Sequence, residues 1–143
     1  MNIDKIRIAK VEQSISKEEA INRVGQMLVD SGFVEKEYIN LMQEREVIVT
    51  TYIGNHLAIP HGTSESQTLI KESGISILQA PNGIQFGEEL AYLIVGIAGK
   101  DGTHMDILSR IAIACSDVNV VIEASKLSDH NQLIQLLLGD ENE

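Results

Sequence analysis

Leu90-Ala91-Tyr92-Leu93-Ile94-Val95-Gly96-Ile97-Ala98 carries no charge along its length, so it cannot be divided into a wet face and a dry one. A strand of that kind belongs in the centre of a sheet covered on both sides by helices. Upstream, Gly74 to Ala80 reads as a neighbouring strand, separated from the first by a Pro81-Asn82-Gly83 turn and the short piece Ile84-Gln85-Phe86-Gly87. Val47 to Ile53 is rich in β-branched residues and breaks at Gly54-Asn55, which predicts a third strand entering a loop. Ser16-Lys17-Glu18-Glu19 has capping-box spacing, and Ala20, Ile21, Val24, Met27 and Leu28 follow at helical period until Gly32. A shorter stripe, Val34, Tyr38, Leu41 and Met42, ends near Glu44-Arg45-Glu46. On the other side of the central strand, Thr103 can cap a helix carrying Met105, Leu108, Ile111, Ala112 and Cys115. Asp117 can cap another through Val121 and Ala124, and Ser128 or Asp129 a last one that Gly139 closes. Helices mixed with strands, one strand buried on both faces, predict an α/β sandwich around one mixed sheet.

The chain of 143 residues and 15.7 kDa is the size of one domain and can bury a sizeable core without staples. It holds one cysteine, Cys115, so no internal disulfide can form, and a reducing cytoplasm is the expected setting. Eleven basic against 21 acidic residues give a net charge of −10, the wrong sign for binding nucleic acid or an anionic membrane surface. The N-terminus lacks a signal-peptide pattern and the longest apolar stretch is too short to cross a bilayer, so a soluble cytoplasmic protein is expected.

Four histidines are the groups suited to nucleophilic or acid–base work near neutral pH. His61 lies in Ala58-Ile59-Pro60-His61-Gly62-Thr63, where proline fixes the approach and glycine removes a side chain that would crowd the ring. It is either a presented imidazole or a histidine capping a turn. His104 follows Thr103 at a predicted helix N-terminus, where amides and dipole favour an anion; it is a phosphate-site candidate or a surface residue. His56 shares the loop of His61, and His130 reads as an exposed residue of a first helical turn. Arg45 is either a solvated ion pair at a helix end or a guanidinium fork for a phosphoryl oxygen. Cys115, on an apolar stripe, reads as core. No GxxxxGK[ST], GxGxxG, CxxC or GxSxG stretch is present, so nucleotide, zinc-ribbon and α/β-hydrolase readings lack their usual support. His61, His104 and Asp106 leave a metallohydrolase as a remote alternative.

The segment Thr51-Tyr52-Ile53-Gly54-Asn55-His56-Leu57-Ala58-Ile59-Pro60-His61-Gly62-Thr63 resembles the phosphorylation signature of the enzyme IIA domains in the mannitol/fructose branch of the bacterial phosphoenolpyruvate:sugar phosphotransferase system. Lys17-Glu18-Glu19-Ala20-Ile21, Phe33-Val34-Glu35, Tyr38, Met42 and Arg45-Glu46 resemble the opening helices of that family. Pro81-Asn82-Gly83-Ile84, Phe86-Gly87-Glu88-Glu89 and Ile94-Val95-Gly96-Ile97-Ala98 resemble its later strands, so the likeness covers essentially the whole chain. It implies one domain over residues 1–143, an α/β sandwich with a mixed sheet of about five strands flanked by helices. It also implies a phosphohistidine relay: His61 accepts a phosphoryl group from HPr as a tele-phosphohistidine and passes it to a IIB component, while His104 and Arg45 hold the phosphoryl oxygens. No metal or other cofactor is expected. Tyr52 after Thr51 and Thr63 after Pro60-His61-Gly62 resemble mannitol-type members most, which makes a mannitol-type IIB or IICB transporter component the expected partner. A fructose-type IIA, or a regulatory module of nitrogen type that acts by docking, is the alternative.

Overall fold

The computed structural model describes residues 5–100 and 104–139, the side chains of 104, 105 and 107 excepted. The chain runs β1 (Ile6–Lys10), α1 (Lys17–Asp30), α2 (Tyr38–Ile48), β2 (Tyr52–Gly54), β3 (Leu57–Ala58), a 3₁₀ turn (Ser64–Leu69), β4 (Gly74–Phe86), β5 (Glu89–Ala98), α3 (His104–Ala114), α4 (Val118–Lys126) and α5 (His130–Leu138). The five strands form one mixed sheet in the order β1-β4-β5-β3-β2. β4 and β5 are antiparallel, β1 joins β4 and β3 joins β5 in parallel, and β2 closes the edge antiparallel to β3. The expected sandwich is therefore what the chain builds.

β5 is central, and both of its faces are dry. Ile94 and Ala98 pack with Ala20, Ile21, Val24 and Leu28 of α1 and with Tyr38 and Met42 of α2. Leu93, Val95 and Ile97 pack with Ile111 and Cys115 of α3, Val121 and Ala124 of α4, and Leu133 and Leu137 of α5. Two buried polar side chains tie the layers: Ser76 donates to the Val24 carbonyl at 2.8 Å on one face, and Gln79 donates to the Ala124 and Leu127 carbonyls on the other. Each bond pairs a buried side-chain donor that would otherwise be left unsatisfied, and those of Gln79 also take up carbonyls at the C-terminal end of α4.

The caps follow the sequence closely. Ser16 accepts from the Glu19 amide, but Glu19 turns to Arg23 one turn on rather than closing the box. Asp117 and Asp129 cap α4 and α5. The predicted caps at Thr103 and its turn lie outside the described residues.

Three expectations change. The N-terminal strand β1 was not foreseen; its alternating Ile6-Arg7-Ile8 is short and charged, as an edge strand should be. Pro81-Asn82-Gly83 is not a turn between strands but an irregularity within β4, where the register shifts between Gln79 and Ile84; the hairpin turn is Gly87-Glu88, with Gly87 at φ 67°. Finally, Val47 and Ile48 finish α2 instead of opening a strand, which starts only at Tyr52. β-branched residues favour strands when their side chains are covered on a sheet, and Val47 is 86% exposed.

Candidate active site

His61 stands where the chain leaves β3 and passes the end of β5. Ile59 donates back to the Thr51 carbonyl, and the Ile97 amide donates to the Pro60 carbonyl at 3.0 Å, pairing His61 in parallel with Ile97. The ring is partly buried. Its Nδ1 lies 2.8 Å from the Ile59 carbonyl. A carbonyl only accepts, so Nδ1 carries the hydrogen and donates it, and the neutral ring keeps its lone pair on Nε2. That nitrogen has no hydrogen-bond partner among the described residues.

The flanking chain is held from α2. Tyr38, 2% exposed at the first turn of that helix, donates its hydroxyl to the Ile97 carbonyl at 2.8 Å and accepts from the Gly62 amide at 3.0 Å. Burial raises the Tyr38 pKa above 10.0, opposed in part by the Gly62 amide and the Ser66 hydroxyl, so the phenol keeps its proton. Gly62 is required by this close approach: a Cβ there would lie 2.3 Å from Ser66 Oγ and 2.7 Å from Tyr38 Cε1. Ser66 in turn donates to the Thr63 carbonyl. Thr63 Oγ1, in the same loop, is the one buried side-chain polar atom among the described residues that lacks a partner.

The other end of α2 carries Arg45, two helical turns from Tyr38 and on the same face by helical spacing. Its guanidinium donates to the Val49 carbonyl at 2.6 Å, closing the helix, and makes no hydrogen bond to His61. Next to it, Glu46 is 5% exposed and accepts from the Thr51 amide and hydroxyl and from the Thr50 hydroxyl, with Lys17 Nζ 4.0 Å away. Val47, Ile48, Val49 and Ile53 are exposed beside this junction.

His104 is the first residue of α3, and its side chain lies outside the described residues. Asp106, which completed the remote metal reading, is exposed and paired with Arg110 at 3.5 Å. Among the described residues no group of three or more His, Cys, Asp or Glu could hold a metal ion. His56 sits in the tight β2–β3 turn, where Asn55 and His56 both have positive φ, and its Nδ1 meets the Leu90 carbonyl at 2.6 Å. Asn55 anchors that turn by donating to the Cys115 and Ser116 carbonyls. His130 opens α5 and is exposed. Cys115 is buried and its thiol is pushed up to about 11 by that burial, as a core residue should be.

Residues 1–139 match the family model described as phosphoenolpyruvate-dependent sugar phosphotransferase system, EIIA 2. The chain belongs to this EIIA type 2 family. Among similar EIIA proteins is the mannitol-specific phosphotransferase enzyme IIA component of Geobacillus stearothermophilus, 46% identical over 130 residues, 90% of this chain and 88% of that one. The protein of the same name from Bacillus subtilis strain 168 is 51% identical over 110 residues, 76% of this chain and 77% of that one. Among solved EIIA structures, IIA mannitol from Escherichia coli superposes with a TM-score of 0.82 at 32% identity, over 96% of this chain and 98% of that one. The IIA chain in the complex of enzyme IIAMtl with phosphorylated enzyme IIBMtl, also from Escherichia coli, gives 0.85 at 31% identity and 98% of both chains. In the sequence Pro60-His61-Gly62 stands out by its local pattern, whereas spacing gives Tyr38 only as part of a helix stripe and Glu46 only as a mark of where that stripe ends. A buried tyrosine hydroxyl must find a partner, and that rule was the available signal for Tyr38. Among the described residues no helix is long and apolar enough to cross a membrane.

Proposed function

We propose that this EIIA protein is a phosphohistidine carrier for mannitol uptake, taking a phosphoryl group from HPr on His61 and passing it to a mannitol-type IIB. The observation that carries this reading is the ring itself: Nδ1 is committed to the Ile59 carbonyl, and Nε2 is left as the nucleophile. In the transfer, the Nε2 lone pair forms a bond to phosphorus as the bond from phosphorus to the donor breaks, and the leaving pair returns to the donor. The Nδ1–H bond to Ile59 supports the positive ring that results. The loose, anionic transition state needs positioning and positive charge more than covalent help, and Arg45 and His104 supply the donors. Arg45 does so by swinging its long side chain from the Val49 carbonyl toward the phosphoryl oxygens.

Exposed Val47, Ile48, Val49 and Ile53 form the apolar dock that HPr and IIB use in turn. The net charge of −10 favours a basic partner and makes the encounter weaken with salt. The names of the curated relatives support mannitol as the sugar, and the Escherichia coli complex supports a IIB partner. Residues 1–143 act here as one cytoplasmic unit without metal or nucleotide.

Incubation with phosphoenolpyruvate, enzyme I and HPr is expected to add one acid-labile phosphoryl group, placed on Nε2 by phosphorus NMR. His61→Ala should abolish it, and Arg45→Ala and His104→Ala should slow it about a hundredfold. Undiminished labelling of the His61 variant overturns the reading. Onward transfer to a mannitol-type IIB should outpace transfer to a fructose-type one, and no transfer to either would favour a regulatory role.

A further inference from the structure

In a parallel strand pair, the residue opposite His61 makes two ladder bonds: its amide donates to the carbonyl one position before, and its carbonyl accepts from the amide one position after. Ile97 makes the first directly, to Pro60. The second should run from the Gly62 amide to the Ile97 carbonyl, and there the Tyr38 hydroxyl intervenes, accepting from Gly62 at 3.0 Å and donating to Ile97 at 2.8 Å. We propose that Tyr38 is a positioning residue for His61: its hydroxyl replaces one ladder bond and holds the chain after the imidazole open, away from β5.

Two hydrogen bonds in series span more than the single bond of about 2.9 Å that a closed ladder would have. The strand is therefore zipped up to Pro60 and splayed from Gly62, with His61 at the fork. Closing the fork would draw Gly62 onto β5 and rotate the His61 ring with it. The space for the hydroxyl is built into the chain, since Gly62 has no Cβ to strike the Tyr38 ring. Because α2 carries Tyr38 at one end and Arg45 at the other, one helix sets both the splay and the start of the guanidinium. Nothing in the motif around His61 encodes this; the tyrosine is 24 positions before Gly62.

This inference rests on His61 being the phosphoryl acceptor, and its test separates the two. Tyr38→Phe removes the hydroxyl and keeps the ring. Ser76→Ala removes another buried hydroxyl, the one bonded to Val24, and serves as the control for loss of stability. With phosphorylated HPr as donor, Y38F is expected to lower kcat at least about tenfold with little change in KM for HPr, while S76A leaves both as in the parent. Nitrogen NMR of His61 should show its Nδ1–H form disturbed in Y38F and intact in S76A. In the unaltered protein the Gly62 amide should exchange with solvent as slowly as the Ile97 amide, a check on the Gly62 bond that does not need Y38F to fold. Free exchange at Gly62 overturns the hydroxyl bridge whatever His61 does. Parental kcat in Y38F, or an equal loss in S76A, overturns the positioning role. Labelling that survives His61→Ala with Gly62 still protected would overturn the carrier reading instead and, with it, this role.

Discussion

The imidazole of His61 was legible in the sequence because proline before it and glycine after it are local signals, and both act where they stand. The choice of its ring nitrogen is not carried by those neighbours, and the tele position is expected from the family resemblance alone. Which ring nitrogen is free depends on the Ile59 carbonyl turning back by two residues, and Gly62 is needed for a reason the motif does not contain, the side chains of Ser66 and Tyr38. A methyl group at position 62 would have to displace both. Gly62→Ala should therefore destabilise the fold by about 1–3 kcal/mol, read as a lower urea midpoint at unchanged slope. Glycine at an ordinary exposed turn would show no such penalty, so a variant as stable as the parent would contradict the packing described here.

Among the elements, α2 carries the most consequence and was read least well. Of its inward residues, Tyr38 and Met42 belong to the stripe that the sequence shows, while buried Glu46 does not, and the β-branched run from Val47 conceals where the helix stops. The stop is electrostatic and polar rather than hydrophobic: Arg45 closes the Val49 carbonyl, and the Glu46 carboxylate gathers the Thr50 and Thr51 groups that start the path to β2. Such a junction cannot be seen in hydrophobic periodicity, because it depends on a buried charge meeting three donors at once. Glu46→Ala leaves those donors unpaired and should cost about 1–3 kcal/mol, measured by urea unfolding. The same variant should also show faster amide exchange at Thr51 than elsewhere in the sheet. Unchanged exchange there would mean that the carboxylate is not what fastens α2 to the sheet.

For the whole molecule, the two-sided apolar character of β5 sufficed to predict layers of helices on both faces, and the caps located most of them. What escaped was the sheet's margin, where strands are short and their pairing is decided by distant partners. Two groups buried in opposite layers give the fold an alkaline limit. The Cys115 thiol, ordinarily at 9.0, is raised to about 11, and Tyr38 is raised above 10.0, both by burial. The folded state therefore keeps protons that the unfolded chain has already shed, and stability is full below pH 9 and falls as pH rises toward 11. Urea midpoints taken across that range should decline, and Cys115→Ala should flatten the part between pH 9 and 11; an equally steep decline in that variant would contradict the assignment to the thiol. The sheet's two margins bear on a different hazard. At one, β2 offers three residues before the Asn55-His56 turn; at the other, β1 sets charged Arg7 and Lys10 along the rim. Neither gives a second copy enough bare backbone to add a strand. The molecule can thus keep Val47, Ile48, Val49 and Ile53 in water at high concentration without seeding fibrils, because the first two are wound into α2, Val49 caps it, and Ile53 alone lies on an edge strand, one of three residues and too short to template cross-β growth.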